Sequence, residues 1–331
     1  MTMRSHWPTR RPRRAGGSFF MSAAFVLALA TFGFPAPPAA AEASGDAVRD
    51  AQPLAAARAN CRQGDAWSCL DLGMAYRDGD GVARDAGRAA LLFERACEEG
   101  EPIACGELGA LYELGDGVAR DDQLAAALFQ QACEEGDAPR CVSWATALIQ
   151  GRGLPVDRIR AARMLDGACL AGVMEGCFNL GVAYREGVGV ARDFSASLRF
   201  FTESCEGGYP QGCREVGRHY FEGDGVAQDA ATGAALFRQA CETGDPGGCT
   251  NLAVAHHQGR GVGKSFEIAA QYYQRACSAF EPSGCAYLAN LYEEGDGVAQ
   301  SRSEAARLYR RALNLAPGFA FAEDGLARVM R

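Results

Sequence analysis

Fourteen cysteines are the residues of this chain best placed to do chemistry, and they fall in seven identical C-x7-C pairs repeating every 36 residues. The pairs are Cys61/Cys69, Cys97/Cys105, Cys133/Cys141, Cys169/Cys177, Cys205/Cys213, Cys241/Cys249 and Cys277/Cys285. Cysteines in such numbers either bind metal or form disulfides. Structural zinc sites use C-x2-4-C pairs and often include histidine, whereas here a four-thiolate site would have to join pairs from different repeats. An eight-residue step through a glycine turn instead brings two Cα atoms to disulfide distance, if the end of one helix lies against the start of the next. The spacing therefore predicts seven disulfides, each joining one repeat to its successor, with no metal and no cofactor. On the chain-entropy account a loop of about nine residues contributes roughly 2.5 kcal/mol per bridge.

A period of 36 residues marks a solenoid, whose units bury their apolar faces only by stacking on one another. In the unit Cys69 to Ala104, the residues Cys69, Leu72, Gly73 and Tyr76 hold the i, i+3, i+4, i+7 spacing of one helix face, and the run stops at Gly79. A Gly-x-Gly turn follows in all seven units, from Gly79-Asp80-Gly81 to Gly295-Asp296-Gly297. It lacks the strand and third glycine of a dinucleotide loop, so it is read as turn geometry. Asp85, repeated as Asp121, Asp157, Asp193 and Asp229 and replaced by Ser265 and Ser301, suits a helix N-cap. The second helix sets a large residue (Phe93, Phe129, Leu165, Phe201, Phe237, Tyr273, Tyr309) against small ones such as Ala89 and Ala96. That alternation predicts interlocked core packing rather than a ligand pocket.

These elements give an all-α solenoid of 36-residue helical hairpins, stapled by disulfides. Residues 1–41 carry five arginines and no acid, then the apolar run Phe19 to Phe34 and a small-residue stretch at Pro37 to Ala41. This is the layout of a cleaved signal peptide and predicts export, to the periplasm or outside the cell, where disulfides persist. Residues 42–68 are expected to cap the array, 69–320 to form seven repeats and 321–331 to close it as a short helix. Leu313 and Phe321 occupy the next two cysteine positions, where an apolar contact is expected to replace a bridge. Without residues 1–41 the formal charge falls from −8 to −13, with 28 Lys+Arg against 41 Asp+Glu. That balance argues against nucleic acid or anionic membrane as a partner, and no membrane span is expected after signal removal.

The pattern L-G-x-x-Y-x-x-G-x-G-V-x-x-D, then A-x-x-x-[FY]-x-x-A-C, resembles the Sel-one-like repeat, a relative of the tetratricopeptide repeat. Leu72-Gly73, Tyr76, Gly79, Gly81, Val82, Ala89 and Ala96-Cys97 carry the resemblance. The C-x7-C addition resembles the Helicobacter cysteine-rich proteins. The wider family implies a right-handed α/α superhelix of tetratricopeptide-like hairpins and an adaptor that holds proteins or peptides, and the subgroup implies exported, disulfide-bridged proteins described as penicillin-binding or weakly β-lactamase-like.

Catalysis finds little support in the residues. The single lysine, Lys264, has Gly261 three positions before it, and S-x-x-K, S-D-N and K-T-G are all absent. His219, His256 and His257 are the only histidines beyond residue 41, and two neighbours on a helix point apart. Binding is better supported. On the first helix of each unit the columns of Leu70, Met74 and Arg77 vary in type and trace a stripe expected to lie off the core face. At its centre Phe178, Arg185, Arg214, Arg218, Phe221 and His257 combine aromatic anchors with guanidinium groups suited to a carboxylate. The resemblance places that helix on the concave side of a superhelix. The sequence thus predicts a non-catalytic scaffold holding an extended segment or acidic terminus of another exported or envelope protein.

Overall fold

The computed structural model describes residues 45–331, with side chains from Leu54 onward, and the predicted signal segment lies outside them. Sixteen helices and no strand occur among the described residues, and none of the helices is long and apolar enough to cross a membrane. The chain divides into two compact units, one ending at Glu101 and one running from Pro102 to Arg331. The first holds α1 (Gly45–Arg62), α2 (Ala66–Asp78) and α3 (Ala86–Glu98).

The second unit is a solenoid of helical hairpins. Its helices are α4 (Pro102–Leu114), α5 (Asp122–Glu134), α6 (Ala138–Gln150), α7 (Arg158–Leu170), α8 (Met174–Glu186) and α9 (Phe194–Glu206). They continue as α10 (Pro210–Glu222), α11 (Ala230–Glu242), α12 (Pro246–Gln258), α13 (Phe266–Ser278), α14 (Pro282–Glu294), α15 (Arg302–Leu315) and α16 (Ala320–Val329). Even-numbered members through α14 are the first helices of repeats, and the following odd-numbered ones are the second.

Local chemistry sets the helix ends. Asp121, Asp157, Asp193 and Asp229, then Ser265 and Ser301, each accept a backbone N–H from the first turn of the helix they open. The first helices close on glycine in the left-handed region, as at Gly187 with φ 75°. The second glycine of the turn has a further role. A Cβ on Gly189 would stand 1.9 Å from the Arg158 carbonyl oxygen, and one on Gly153 equally close to that of Asp122. Each turn is thus pressed onto the backbone that opens the second helix of the preceding repeat.

Within a hairpin the two helices meet where the large residue of the second lies flat on a small residue of the first. A Cβ on Gly109 would fall 2.8 Å from the Phe129 ring, on Gly181 2.7 Å from Phe201, and on Gly217 2.8 Å from Phe237. The first unit repeats this contact between Gly73 and Phe93. Where the large residue is Leu165 the seat is Ala145, and both are buried in one cluster with Trp144.

The bridges join the last turn of one hairpin to the first turn of the next helix. Cα–Cα distances are 4.7 Å for Cys133–Cys141 and 4.5 Å for Cys169–Cys177, and Cys61–Cys69 ties α1 to α2 at 4.7 Å. Cys205–Cys213, Cys241–Cys249 and Cys277–Cys285 follow at 4.6, 4.5 and 4.5 Å. Cys97, in the first unit, and Cys105, in the second, are disulfide-bonded as well, and no free cysteine remains.

Burial agrees with the bridging role that the spacing predicts. Cys105, Cys213, Cys249 and Cys285 are all 3 % exposed or less, because the second cysteine of each pair lies on the core face of the helix it opens. They are structural staples sealed from solvent. Beside the bridges Arg275 and Arg311 each donate to the carbonyl oxygen of the cysteine 34 residues earlier, both at 3.0 Å, placing a cation at a helix C-terminus. At the end of the array Phe321 packs on the rings of Tyr287 and Tyr309.

Gly109→Ala is expected to destabilise the protein by about 1–3 kcal/mol, since the methyl group must displace a buried ring. Gly167→Ala, in α7 with nothing within 4 Å of the added carbon, is expected to stabilise it by about 0.5–1 kcal/mol; urea midpoints of the two variants check both signs. Separately, thiol titration of the unreduced, denatured protein is expected to find no reactive sulfhydryl.

Candidate functional site

The predicted stripe is only partly a surface. The Leu70 column is largely buried, with Leu70, Val142, Thr250 and Ala286 all 5 % exposed or less. Phe178 and Arg214 are the members of that column that stay half-exposed. Phe221 is also a correction: it is 5 % exposed, packs against Phe237 at 5.4 Å and is covered by the Arg260 guanidinium at 4.1 Å. Arg260 further donates to the Phe221 carbonyl oxygen and pairs with Glu222. The aromatic is a core residue under an arginine lid, because its helix face is turned toward α11 of its own hairpin and is closed over by Arg260 of the next.

The remaining predicted residues separate into three groups. Phe178 lies 5.4 Å from both Phe201 and Tyr209, and His257 makes an edge contact with Phe266 at 5.1 Å. Arg185, Arg214 and Arg218 come together on one carboxylate that the sequence reading passed over. Glu215 of α10, 8 % exposed, accepts from Arg185 Nη1 at 2.5 Å, from Arg218 Nε at 3.0 Å and from Arg214 Nε at 3.4 Å. Arg214 also reaches buried Asp245 at 3.0 Å. Burial pushes the Asp245 carboxyl up, opposed by Arg214 and by the Gly248 N–H that it caps.

Helical spacing builds this cluster. Glu215 and Arg218 sit one turn apart on α10, and Arg185 arrives from the last turn of α8. The available signal was opposite charge about one repeat apart, since Arg185–Glu215 and Arg214–Asp245 pair across 30 and 31 residues. A cleft of about 450 Å³ opens beside the cluster, lined by Arg185, Arg192, Arg218, Phe194, Glu215 and the rim acids Glu186 and Asp224. Arg185 hydrogen-bonds Glu186 and holds its carboxyl below the ordinary range. Arg192 lies over the Phe194 ring at 4.5 Å, and Arg218 Nη2 is buried without a partner.

Other constellations do no visible chemistry. Ser197 and His219 approach to 3.3 Å, but both are fully buried, and the Ser197 hydroxyl already donates to the Gly181 carbonyl at 2.9 Å. Lys264 lies against the Phe266 ring at 4.7 Å. Cys169, Cys177 and Glu203 lie close enough to share an ion, but the two sulfurs are bonded to each other. The β-lactam chemistry implied by resemblance therefore gains no support.

The Sel1 repeat family model matches residues 68–101, 102–137, 175–209, 210–245, 246–279 and 282–316. The hairpin between 138 and 174 falls outside those matches, although it folds like its neighbours. No curated protein matches the sequence. Among solved structures, a protective antigen of uropathogenic Escherichia coli with an SLR fold is 29 % identical at a TM-score of 0.64. That match covers 82 % of this chain, which spans only 58 % of the antigen. A Sel1 repeat protein of Oxalobacter formigenes superposes with a TM-score of 0.66 at 24 % identity, covering 87 % of this chain and 83 % of that one. Cysteine-rich protein B of Helicobacter pylori is 23 % identical over 41 % of this chain and 95 % of its own, and its TM-score of 0.33 is too loose to bear on function.

Burial lowers the His219 pKa. With the folded value below the unfolded value of about 6.5, its contribution is fully present above pH 6.5 and is lost as pH falls, because the unfolded chain takes up the proton more readily. His219→Leu, matching Leu111 and Leu291 in the same column, is expected to shrink the drop in urea midpoint between pH 7.5 and pH 5.5.

Proposed function

The chain belongs to the Sel1 repeat family, and from that premise we propose that it is an exported, non-catalytic scaffold that binds an acidic segment or carboxyl terminus of another exported or envelope protein. Sel1 repeats support protein–protein contact. The oxidation of every cysteine favours an oxidising compartment, in keeping with the layout of residues 1–41.

The observation that carries the reading is the cleft above Glu215. Three guanidiniums share one buried carboxylate, and of the three only Arg214 reaches the second buried acid, Asp245. The acids that complete the charge balance, Glu186 and Asp224, stand at the rim in higher dielectric, with Asp224 3.9 Å from Arg218. An incoming carboxylate would displace these outer partners and leave the Glu215 network in place. Arg185 and Arg218 are the contact residues under this reading. Glu215 positions them, and Phe194 offers an apolar wall. Phe178 and His257 remain half-exposed on neighbouring helices, where they would extend the contact along the array.

The test is fluorescence anisotropy with labelled peptides ending in two acidic residues and a free carboxylate, against the same peptides with Gln, Asn and a terminal amide. Binding is expected for the acidic set only, weakened about tenfold or more by Arg218→Ala, as for loss of a charge-assisted hydrogen bond. Equal binding of both sets, or no change in the variant, would remove the cleft as the recognition surface.

A further inference from the structure

We propose that the outward face of α7 is a two-fold contact surface through which two copies of this chain associate. The sister repeats supply the comparison. Ile159, Arg163, Asp166 and Leu170 follow i, i+4, i+7, i+11 spacing and lie within about 30° of one line along α7, spanning about 16 Å. All four are exposed, Ile159 at 63 % and Leu170 at 80 %. The same positions read Gln123, Ala127, Gln130 and Glu134 in α5, and Ser195, Arg199, Thr202 and Glu206 in α9. The Leu170 position is Glu in the other repeats as far as Glu242 and Ser at 278. Val156, just before the helix and 53 % exposed, likewise stands where neighbouring repeats carry Arg120 and Arg192. Apolar residues have entered exposed positions in the hairpin that departs from the family pattern, where stacking within the chain does not use them.

The order of the four residues identifies the occupant. Ile159 and Leu170 are equidistant from a point between residues 164 and 165, and so are Arg163 and Asp166. A second α7 laid antiparallel about a two-fold axis at that point sets Ile159 against Leu170 and Arg163 against Asp166, each pair occurring twice. That is the self-complementarity an isologous interface requires. Neither Arg163 nor Asp166 is engaged in an ion pair among the described residues, so both charges are available. Beside the stripe a groove of about 220 Å³ is floored by Leu180, Tyr184 and Phe200, extending the apolar contact. One helix pair with this margin covers less than the about 1,200 Å² of a standard interface, so the dissociation constant is expected on the order of tens of micromolar or weaker.

The surface is separate from the arginine cleft, and its test does not depend on that reading. Sedimentation equilibrium of the chain from Glu42 onward, from micromolar to millimolar concentration, is expected to show a reversible monomer–dimer equilibrium. Leu170→Glu is expected to abolish the dimer. Arg163→Asp alone, or Asp166→Arg alone, sets like charges against each other twice and is expected to weaken association about tenfold, whereas the double swap restores it. Equal thermal midpoints among these exposed-site variants separate loss of association from loss of fold. A monomer throughout, a dimer indifferent to Leu170→Glu, or a double swap that fails to restore association would overturn the proposal.

Discussion

Everything in the array rests on how closely the two helices of a hairpin can approach. Where Gly109, Gly181 or Gly217 faces an aromatic ring, the backbone of the first helix itself forms the seat, leaving no space even for a methyl group. Interior packing at that density makes the pair of positions a single unit: the glycine has no freedom while the ring stays, and the ring loses its contacts if the helices separate. The same position is alanine in other hairpins, Ala145 with Leu165, Ala253 with Tyr273 and Ala289 with Tyr309, and all six residues are buried.

Close approach within hairpins brings the repeats together as well. The second turn glycine lies directly on the opening backbone of the preceding second helix, and a buried disulfide such as Cys169–Cys177 or Cys241–Cys249 fixes the other end of the junction. Each hairpin is therefore located by a steric contact and a covalent one. For a narrow array with only nearest-neighbour contacts, that division limits how much any single repeat can open by itself.

The arginine cluster shows how such an array builds a site without departing from its pattern. A repeat places corresponding residues of successive first helices side by side, so charges about one period apart meet across the junction. Arg185, Arg214 and Arg218 meet at Glu215 for that reason. The predicted arginines were legible because their types vary down a column that is otherwise unremarkable. Glu215 was not, because an acid between two arginines on a polar helix looks like a solvated residue until the neighbouring helix buries it. Phe221 erred in the opposite direction. Its column is half-exposed elsewhere, but Arg260 and Phe237 enclose it in this repeat.

The sequence by itself determined the repeat length, the helix ends, the core columns and the cysteine partners, because each follows from short-range rules: helical periodicity, capping by Asp and Ser, left-handed glycine and an eight-residue reach. Tertiary structure alone decided which faces of the first helices remain in water. It also decided which carboxylate the arginines share, and that the apolar residues of α7 have no cover within the hairpin stack. Those outcomes depend on the rotation of one hairpin against the next, a quantity set by side-chain volumes at the junction rather than by any pattern along the chain.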